Sequence, residues 1–241
     1  MHQLVRRTTA VAAVLLLAGC SSPKPTPAPK PTPTPLGFRY TASELETALP
    51  ATYGRHQLDL SAYVYPVAPN WTLRHDALAG HGVQPTQCRE TLWNGRNTAP
   101  PGEFIPGETP SARASAELGA RIGDDWSPNV RAEIVELTGE LAGKYLHQFE
   151  PTPPECRSVQ VDGVVRAGAV ERALPGFGVE SRYIARTFPL TGKSWTERIL
   201  LYRAPTYVMT IRMDGFSVPD TAFLAFARQT RDHVTAGLKA G

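Results

Sequence analysis

The amino-acid sequence predicts an α+β fold, in which an antiparallel sheet carries helices packed mainly on one face. Runs rich in Val, Ile, Tyr and Phe occupy residues 178–189, 195–203 and 207–213, with short breaks between them. An amphipathic helix pattern follows these runs. Tight connections favour antiparallel neighbours, and a helix with one apolar face packs that face on a sheet.

The breaks between these strands, at 191–193 and 204–206, contain the Gly and Pro that mark turns. The start of the last helix is predicted from three residues. Ser217 can act as the cap, Pro219 suits the first turn, and Asp220 stands three residues after the serine, as in a capping box. One face of this helix then carries Phe223, Phe226, Ala227, Thr230, Val234 and Leu238.

An earlier part of the chain has the order strand, strand, helix. Residues 114–122 and 130–137 alternate apolar and polar side chains over part of their length, and 139–149 place apolar residues at helical spacing. With the later strands and helix, this order suggests a weak internal strand-strand-helix duplication. Near the beginning of the chain, Thr41 and Glu44 predict a capping box that opens a short helix.

The first 19 residues have the features of a lipoprotein signal peptide. Arg6 and Arg7 precede an apolar run at 10–17, which is too short to span a membrane as a helix. The run closes on Leu-Ala-Gly-Cys, which resembles the bacterial lipobox, so we expect cleavage before Cys20 and lipidation of its thiol. The alternative is a plain secretory signal cut nearby, which would leave Cys20 as an ordinary thiol.

Residues 20–35 comprise the lipidated cysteine and a stalk rich in Pro, Thr and Lys, and 36–241 form a single folded domain. The stalk has no apolar surface to bury and favours an extended polyproline II chain. Two acyl chains suffice for stable anchoring. We therefore expect a domain tethered by its N-terminal lipid to the outer face of the cell membrane.

Charge argues against a nucleic-acid partner. The whole sequence has 25 Lys and Arg against 22 Asp and Glu. Four of the basic residues and none of the acidic ones lie in the first 35 positions, so the domain has 21 basic against 22 acidic residues. A nearly neutral domain lacks the positive field that nucleic-acid binding requires.

The three cysteines are expected to have two roles: one carries the lipid, and the other two form a pair. With Cys20 lipidated, Cys88 and Cys156 remain as an even pair in an exported protein, where thiols oxidise, so we expect a disulfide. Two free thiols or a metal pair are the alternatives, but neither cysteine has a second Cys or His at ligand spacing. Each cysteine follows a proline and a short polar turn, which predicts a position in the first turn of a short helix.

No catalytic residue is predicted. The segment Gly-Phe-Ser-Val-Pro around Ser217 imitates a nucleophile elbow but has Pro219 where a second glycine is required. The downstream Asp232 and His233 are adjacent on one helix and point about 100° apart, so they cannot form a triad with that serine.

No cofactor or metal site is predicted either. The histidines lack the spacing that places two ligands on one helix face. His75, Asp76 and His81 form the least implausible cluster.

Residues 53–82 and 94–109 show no clear helix or strand pattern, and aromatic side chains in or beside them could line a cleft. Aromatic rings combine a large apolar surface with a polar tip, which suits an amphiphilic ligand. The candidate ligand-binding residues are Tyr63, Tyr65, Trp71 and Trp93. Placement in the core is the alternative for each of them.

The lipobox and stalk are followed by the motifs TASELETALP and PPECR and by the closing segment YVMTIRMDGFSVPDTAFLAFARQTRDHV. Together these resemble actinobacterial exported sensor-like domains, which are related to the extracellular sensor domain of PknH-type serine/threonine kinases. The resemblance covers residues 38–240 and implies an antiparallel α+β domain, a cleft for an envelope ligand and no catalytic machinery. Two features differ: this chain can form one disulfide rather than two, and the sequence contains no kinase domain.

Three functions are compatible with these observations. The first is a non-catalytic binding or sensing module for an envelope molecule or a membrane protein partner. The second is a carrier of an envelope lipid or glycolipid, which needs a cleft deep enough to bury acyl chains. The third is a hydrolase acting on envelope material, which needs titratable residues converging in the cleft. The sequence favours the first, because it offers no nucleophile with a base, no metal spacing and no cofactor loop.

Replacing Cys20 tests the anchor. Cys20→Ser removes the thiol that carries the lipid, so the protein should lose its lipid mass and leave the membrane fraction. Intact-mass spectrometry and fractionation of cells measure both effects. Unchanged retention in the membrane would contradict lipidation at this residue.

Overall fold

The computed structural model confirms the predicted α+β class. It describes residues 39–64, 78, 80–93, 111–119, 128–137, 142–143, 145–146, 151–190 and 193–239. The strands are β1 (Thr52–Tyr53), β2 (His56–Gln57), β3 (Asp59–Val64), β4 (Val83–Gln84), β5 (Ala112–Leu118), β6 (Asn129–Val135), β7 (Val159–Val161), β8 (Val164–Arg172), β9 (Glu180–Leu190), β10 (Lys193–Arg203) and β11 (Val208–Phe216). The helices are α1 (Ala42–Thr47), α2 (Cys88–Trp93), α3 (Asp220–Lys239) and a 3-10 helix (Pro154–Arg157).

Nine of the strands form one sheet in the order β3-β5-β6-β11-β10-β9-β8-β7-β4, and β1 and β2 form a separate ribbon. Every pairing in the sheet is antiparallel. The three strands predicted late in the chain are β9, β10 and β11, and their bounds differ from the predicted ones by at most three residues. In the part of the chain that is described, no helix is both long and apolar enough to cross a membrane.

Two strand regions were not predicted. Residues 53–82 had no clear pattern, yet they contain β3, which pairs with β5 at one edge of the sheet. The β7–β8 hairpin was also missed, and it turns at Asp162 and Gly163, whose φ angles are 53° and 77°. Positive φ at both central residues is what a type I′ hairpin turn requires. This hairpin extends the sheet beyond β9.

One face of the sheet, here called the helix face, is covered by α1 and α3. The core between them includes Leu45 of α1 and Phe223 and Phe226 of α3, with exposed fractions of 0 to 2%. All six residues predicted for the apolar face of the last helix are buried. The capping box that opens α1 is also present, since Thr41 and Glu44 bond each other's backbone amides. Burial of this face fixes α1 and α3 on the sheet.

The start of α3 differs from its prediction. The helix begins at Asp220, and Ser217 has a φ of 57°, which is left-handed backbone rather than the extended backbone of a cap. Ser217 therefore lies in the turn that leads from β11 to the helix. Asp220 contacts side chains of the sheet instead of completing a capping box.

The opposite face carries two smaller cores. Helical residues 142–146, of which residue 144 is not described, pack Tyr145 and Leu146 against Ile199 and Leu201 of β10. Further along the sheet, Cys88 and Leu92 of α2 pack with Cys156 and with residues of β7 and β8. The longer helices thus share the helix face, whereas α2 and the helical residues after β6 lie on the other side. The suggested duplication stays a prediction.

The predicted disulfide joins Cys88, the first residue of α2, to Cys156 in the 3-10 helix. Its S–S distance is 2.04 Å and its Cα–Cα distance is 5.3 Å. Both cysteines are fully buried. The 3-10 helix lies close against β8, because a Cβ atom on Gly168 would collide with the backbone carbonyl of Arg157. The bridge therefore holds α2 and the 3-10 helix on the outer strands.

Removing the bridge should destabilise the domain strongly. The disulfide spans 68 residues, and a loop of that length restricts the unfolded chain by about 4 kcal/mol. Cys88→Ala with Cys156→Ala should lower the free energy of unfolding by roughly this amount in urea titrations. A loss below about 1 kcal/mol would contradict this role of the bridge.

Candidate functional site: a basic groove beside the C-terminal helix

The position of α3 leaves part of the helix face uncovered. Phe223, near the start of α3, packs on Tyr183 of β9 at 5.5 Å between ring centroids. Near the end of the helix, Gly237 contacts Ala48, just after α1. The helix thus runs from the middle of the sheet towards α1. The first half of β10, the second half of β9 and the adjoining part of β8 lie beyond its start.

A groove of about 700 Å³ occupies this uncovered part of the helix face. Its floor comprises Val170 of β8 and Ala185, Thr187 and Pro189 of β9. Val170 is 44% exposed, which is unusual for a valine inside a sheet. The volume lies within the range of about 300 to 1,000 Å³ typical of small-molecule sites. The floor is therefore open, and it combines apolar side chains with the Thr187 hydroxyl.

Three cationic residues line the groove, Arg157, Lys193 and Arg198, but the side chain of Lys193 turns to the opposite face with Trp195 and Phe216. Arg198 lies on β10 and is 14% exposed. The ammonium of Lys193 lies 5.6 Å from the ring centroid of Phe216. Among the residues that line the groove in the described part of the chain, none is acidic. The border is therefore positively charged.

One carboxylate stands at the edge of this border. Oδ1 of Asp220 lies 2.7 Å from Nε of Arg198 and accepts a hydrogen bond of 2.9 Å from the hydroxyl of Tyr183. Arg172 lies 3.7 Å from the other carboxylate oxygen. Burial raises the pKa of Tyr183, and the bond to Asp220 raises it further. Tyr183 therefore stays a neutral donor to this carboxylate.

The groove depends on the hairpin and on the disulfide. Gly168 and Val170 belong to β8, and Arg157 follows the bridged Cys156 directly. Sequence reasoning missed all three as site residues, because it did not recognise β7 and β8. The Asp-Gly pair at 162–163, flanked by alternating Val residues, was the signal that predicts this hairpin.

The opposite face carries a network of buried charges. The hydroxyl of Tyr63 donates to Oε1 of Glu133 at 2.8 Å, and Arg131 donates to Oε2 at 3.0 Å. Arg131 also lies 3.4 Å from Glu117. Burial raises the pKa of Glu133, while Arg131 and the Tyr63 hydroxyl lower it. This arrangement holds a carboxylate inside the sheet and keeps it bonded.

A second part of the network lies on β9, β10 and β11. Glu197 accepts a hydrogen bond of 3.2 Å from Arg186 and lies 2.6 Å from Arg212. Arg212 in turn lies 3.0 Å from Asp214. Arg186, Glu197 and Asp214 are at most 2% exposed. Charges so deeply buried are paired with one another across the strands, which is a structural role.

The predicted site residues have different outcomes. Cys88 and Cys156 come together in the disulfide. Cys20, Tyr65 and Trp71 lie outside the described residues, and so does the side chain of Trp93 at the end of α2. Tyr63 bonds Glu133 on the face opposite the groove. A ligand role for the four aromatic residues stays a prediction.

Residues considered for chemistry are not brought together. Asp232 pairs with the adjacent Arg231 at 2.6 Å, and Ser217 lies in the turn before α3. Nδ1 of His81 lies 2.6 Å from Asp162 at the surface. Within the described ranges, no group of three His, Cys, Asp or Glu residues could hold a metal ion. Among the described residues, those considered for chemistry therefore do not form a reactive cluster.

No family model matches the chain, and no curated protein matches it. Among solved structures, it is similar to the extracellular domain of PknH from Mycobacterium tuberculosis, with a TM-score of 0.42 and 12% identity over 82% of this chain and 92% of that one. It is also similar to a putative uncharacterized protein from Mycobacterium smegmatis, an Rv0999 ortholog, with a TM-score of 0.35 and 12% identity over 76% of this chain and 88% of that one. The similar structures thus include the extracellular domain of PknH, and the sequence motifs resemble domains related to the extracellular domains of PknH-type kinases.

Removing the Tyr63 hydroxyl should destabilise the protein in a pH-dependent way. The folded-state pKa of Glu133 lies above its ordinary value of 4.5, so ionisation of Glu133 opposes folding as pH rises through 4.5. Tyr63→Phe removes a donor to the ionised form and enlarges this loss. The free energy of unfolding should fall by about 1 to 3 kcal/mol above the folded-state pKa, with no pH-dependent difference below 4.5.

Urea unfolding at a series of pH values measures this difference. Tyr145→Phe is the matched control, since the Tyr145 hydroxyl bonds Thr210 at 2.7 Å instead of a carboxylate. Its effect should vary little with pH. The same pH profile for both variants would contradict the role assigned to Tyr63.

Proposed function

We propose that this protein is an extracytoplasmic lipoprotein whose folded domain binds an envelope molecule in the basic groove without transforming it. The observation that carries the proposal is the groove itself, which has an open floor with apolar side chains and the guanidinium groups of Arg157 and Arg198 at its border. Concave sites that combine apolar surface with a few polar groups are typical of small-molecule binding.

The side chains of the groove support binding rather than catalysis. General acid–base chemistry uses groups that exchange protons near neutral pH, most often His, Asp or Glu. The described lining has only Arg and Lys as ionisable residues, and a guanidinium stays protonated. Ser194 also lines the groove, but the lining offers no carboxylate or imidazole to activate its hydroxyl.

The open floor favours capture at the surface over the alternative of a lipid carrier. A carrier must bury acyl chains away from water along most of their length. Val170, a residue of the groove floor, stays 44% exposed. A ligand on this floor would keep one side in contact with water or with a second protein.

The proposed location rests on the first part of the sequence. A lipid on Cys20 would anchor the protein in the membrane, and the Pro-rich residues 23–35 would hold the domain at up to about 40 Å from it. The disulfide supports an oxidising compartment outside the cytoplasm. A membrane protein partner would then detect the bound state, which is the sensing role.

A native mass spectrum tests the proposal. Protein purified from the exported fraction of an actinobacterial host should carry a reproducible adduct that disappears on denaturation. Val170→Asp puts a charge on the apolar floor and should remove the adduct. Val179→Asp is the control, because Val179 is 64% exposed and does not line the groove.

The two possible failures have different meanings. An adduct that persists in Val170→Asp would place the ligand elsewhere on the domain. A wild-type protein without any adduct would contradict tight small-molecule binding and would direct the search to protein partners.

A further inference from the structure

We infer that the groove takes an amphiphile with a compact anionic head, such as a phosphate monoester, and that Asp220 competes with this head for Arg198. The inference rests on the proposed function, because it names the ligand class of the same groove. It goes further by assigning an internal competitor at the first residue of α3.

Charge complementarity is the first step. Arg157 borders the groove without a carboxylate partner among the described residues. Arg198 faces Asp220 through its Nε atom, so the two terminal nitrogens of its guanidinium remain to contact an anion. Guanidinium groups bind phosphate and carboxylate oxygens through charge-assisted hydrogen bonds. The groove therefore attracts an anion at its border.

The apolar floor is the second step. Ala185, Thr187 and Pro189 share this face of β9 over about 13 Å, so apolar side chains flank one hydroxyl. Val170 on β8 lies beside Ala185 and widens the apolar part of this strip. A hydrocarbon chain on the strip removes apolar surface from water, so a single chain adds affinity that a free anion lacks.

Asp220 is the third step. Its carboxylate accepts a hydrogen bond from Tyr183 and is paired with Arg198 at 2.7 Å and with Arg172 at 3.7 Å, so two cations and one hydroxyl already surround this anion. Asp220 is 45% exposed, and a side chain so exposed can give way to a competing anion. Exposed ion pairs are worth about 0.2 to 1 kcal/mol. Asp220 should therefore weaken ligand binding by roughly two- to fivefold.

Isothermal titration calorimetry tests the inference. The protein is the full chain with Cys20→Ser, which removes the lipid and the need for detergent. The probe is dodecyl phosphate below its micelle concentration. Inorganic phosphate carries the head alone, and dodecyl maltoside carries the same chain on a neutral head. Dodecyl phosphate should bind at least tenfold more tightly than either of them.

Variants of the cations and of Asp220 give the decisive comparison. Arg198→Gln and Arg157→Gln should each weaken binding of dodecyl phosphate by about tenfold or more, since a hydrogen bond to a charged group is lost. Arg157 is exposed, so its variant should fold even if Arg198→Gln does not. Asp220→Asn should tighten binding roughly two- to fivefold, and Asn keeps the size of the side chain.

Matched controls come from an ion pair between β10 and β9. Arg203 of β10 lies 3.4 Å from Glu180 in a pair of intermediate exposure that does not border the groove. Arg203→Gln and Glu180→Gln should leave the affinity for dodecyl phosphate unchanged.

Each contrary outcome would overturn one part of the inference. Equal affinity for dodecyl maltoside, or no effect of Arg157→Gln, would overturn the anionic head while leaving the groove as a binding site. Equal affinity for inorganic phosphate would overturn the amphiphile. No effect of Asp220→Asn would overturn the competition. If dodecyl phosphate does not bind, the inference fails, whereas the native-mass adduct tests the proposed function independently.

Discussion

The point at which α3 begins on the sheet is the constraint on which the groove depends. Three residues separate Phe216 of β11 from Asp220, Ser217 takes a left-handed conformation among them, and the helix then runs back towards α1. Phe223 and Phe226 hold it there by packing on the sheet. Because the helix starts in the middle of the sheet, it buries the part of the helix face between its start and α1. The part beyond its start, on β8, β9 and β10, forms the groove. Asp220 stands at that boundary and contacts Arg198.

The late strands and α3 could be predicted because each is specified by local pattern. Residues of β9, β10 and β11 form uninterrupted β-rich runs, and the apolar spacing in α3 matches a helix against a sheet. The segment β3 alternates too, from Asp59 to Val64, but polar residues around it obscured the pattern. The β7–β8 hairpin was predictable from its Asp-Gly turn and was overlooked. Without this hairpin, the part of the groove floor that belongs to β8 was not recognised, and the aromatic residues were considered as ligand contacts instead.

Other parts of the site follow from contacts between distant residues. The cysteine count predicts the bridge, but no local pattern indicates that the residue after Cys156 would border a groove. That position results from the close approach of Arg157 to Gly168, where only a glycine leaves room for the carbonyl. The same holds for Arg198, whose neighbour Asp220 lies 22 positions further along the chain. Local propensity explains the elements, whereas packing between them creates the site.

The two faces of the sheet use charge in opposite ways. On the face away from α3, Arg186, Glu197 and Asp214 are almost fully buried and bonded to groups on neighbouring strands. Removing one partner there would leave an uncompensated charge, so these residues fix the pairing of the strands and cannot turn to a ligand. In the groove, Arg157 is exposed. Water solvates its guanidinium, so an anion that binds there as proposed would exchange one set of hydrogen bonds for another at little cost. Availability to solvent, more than the presence of charge, therefore distinguishes the groove face from the opposite face.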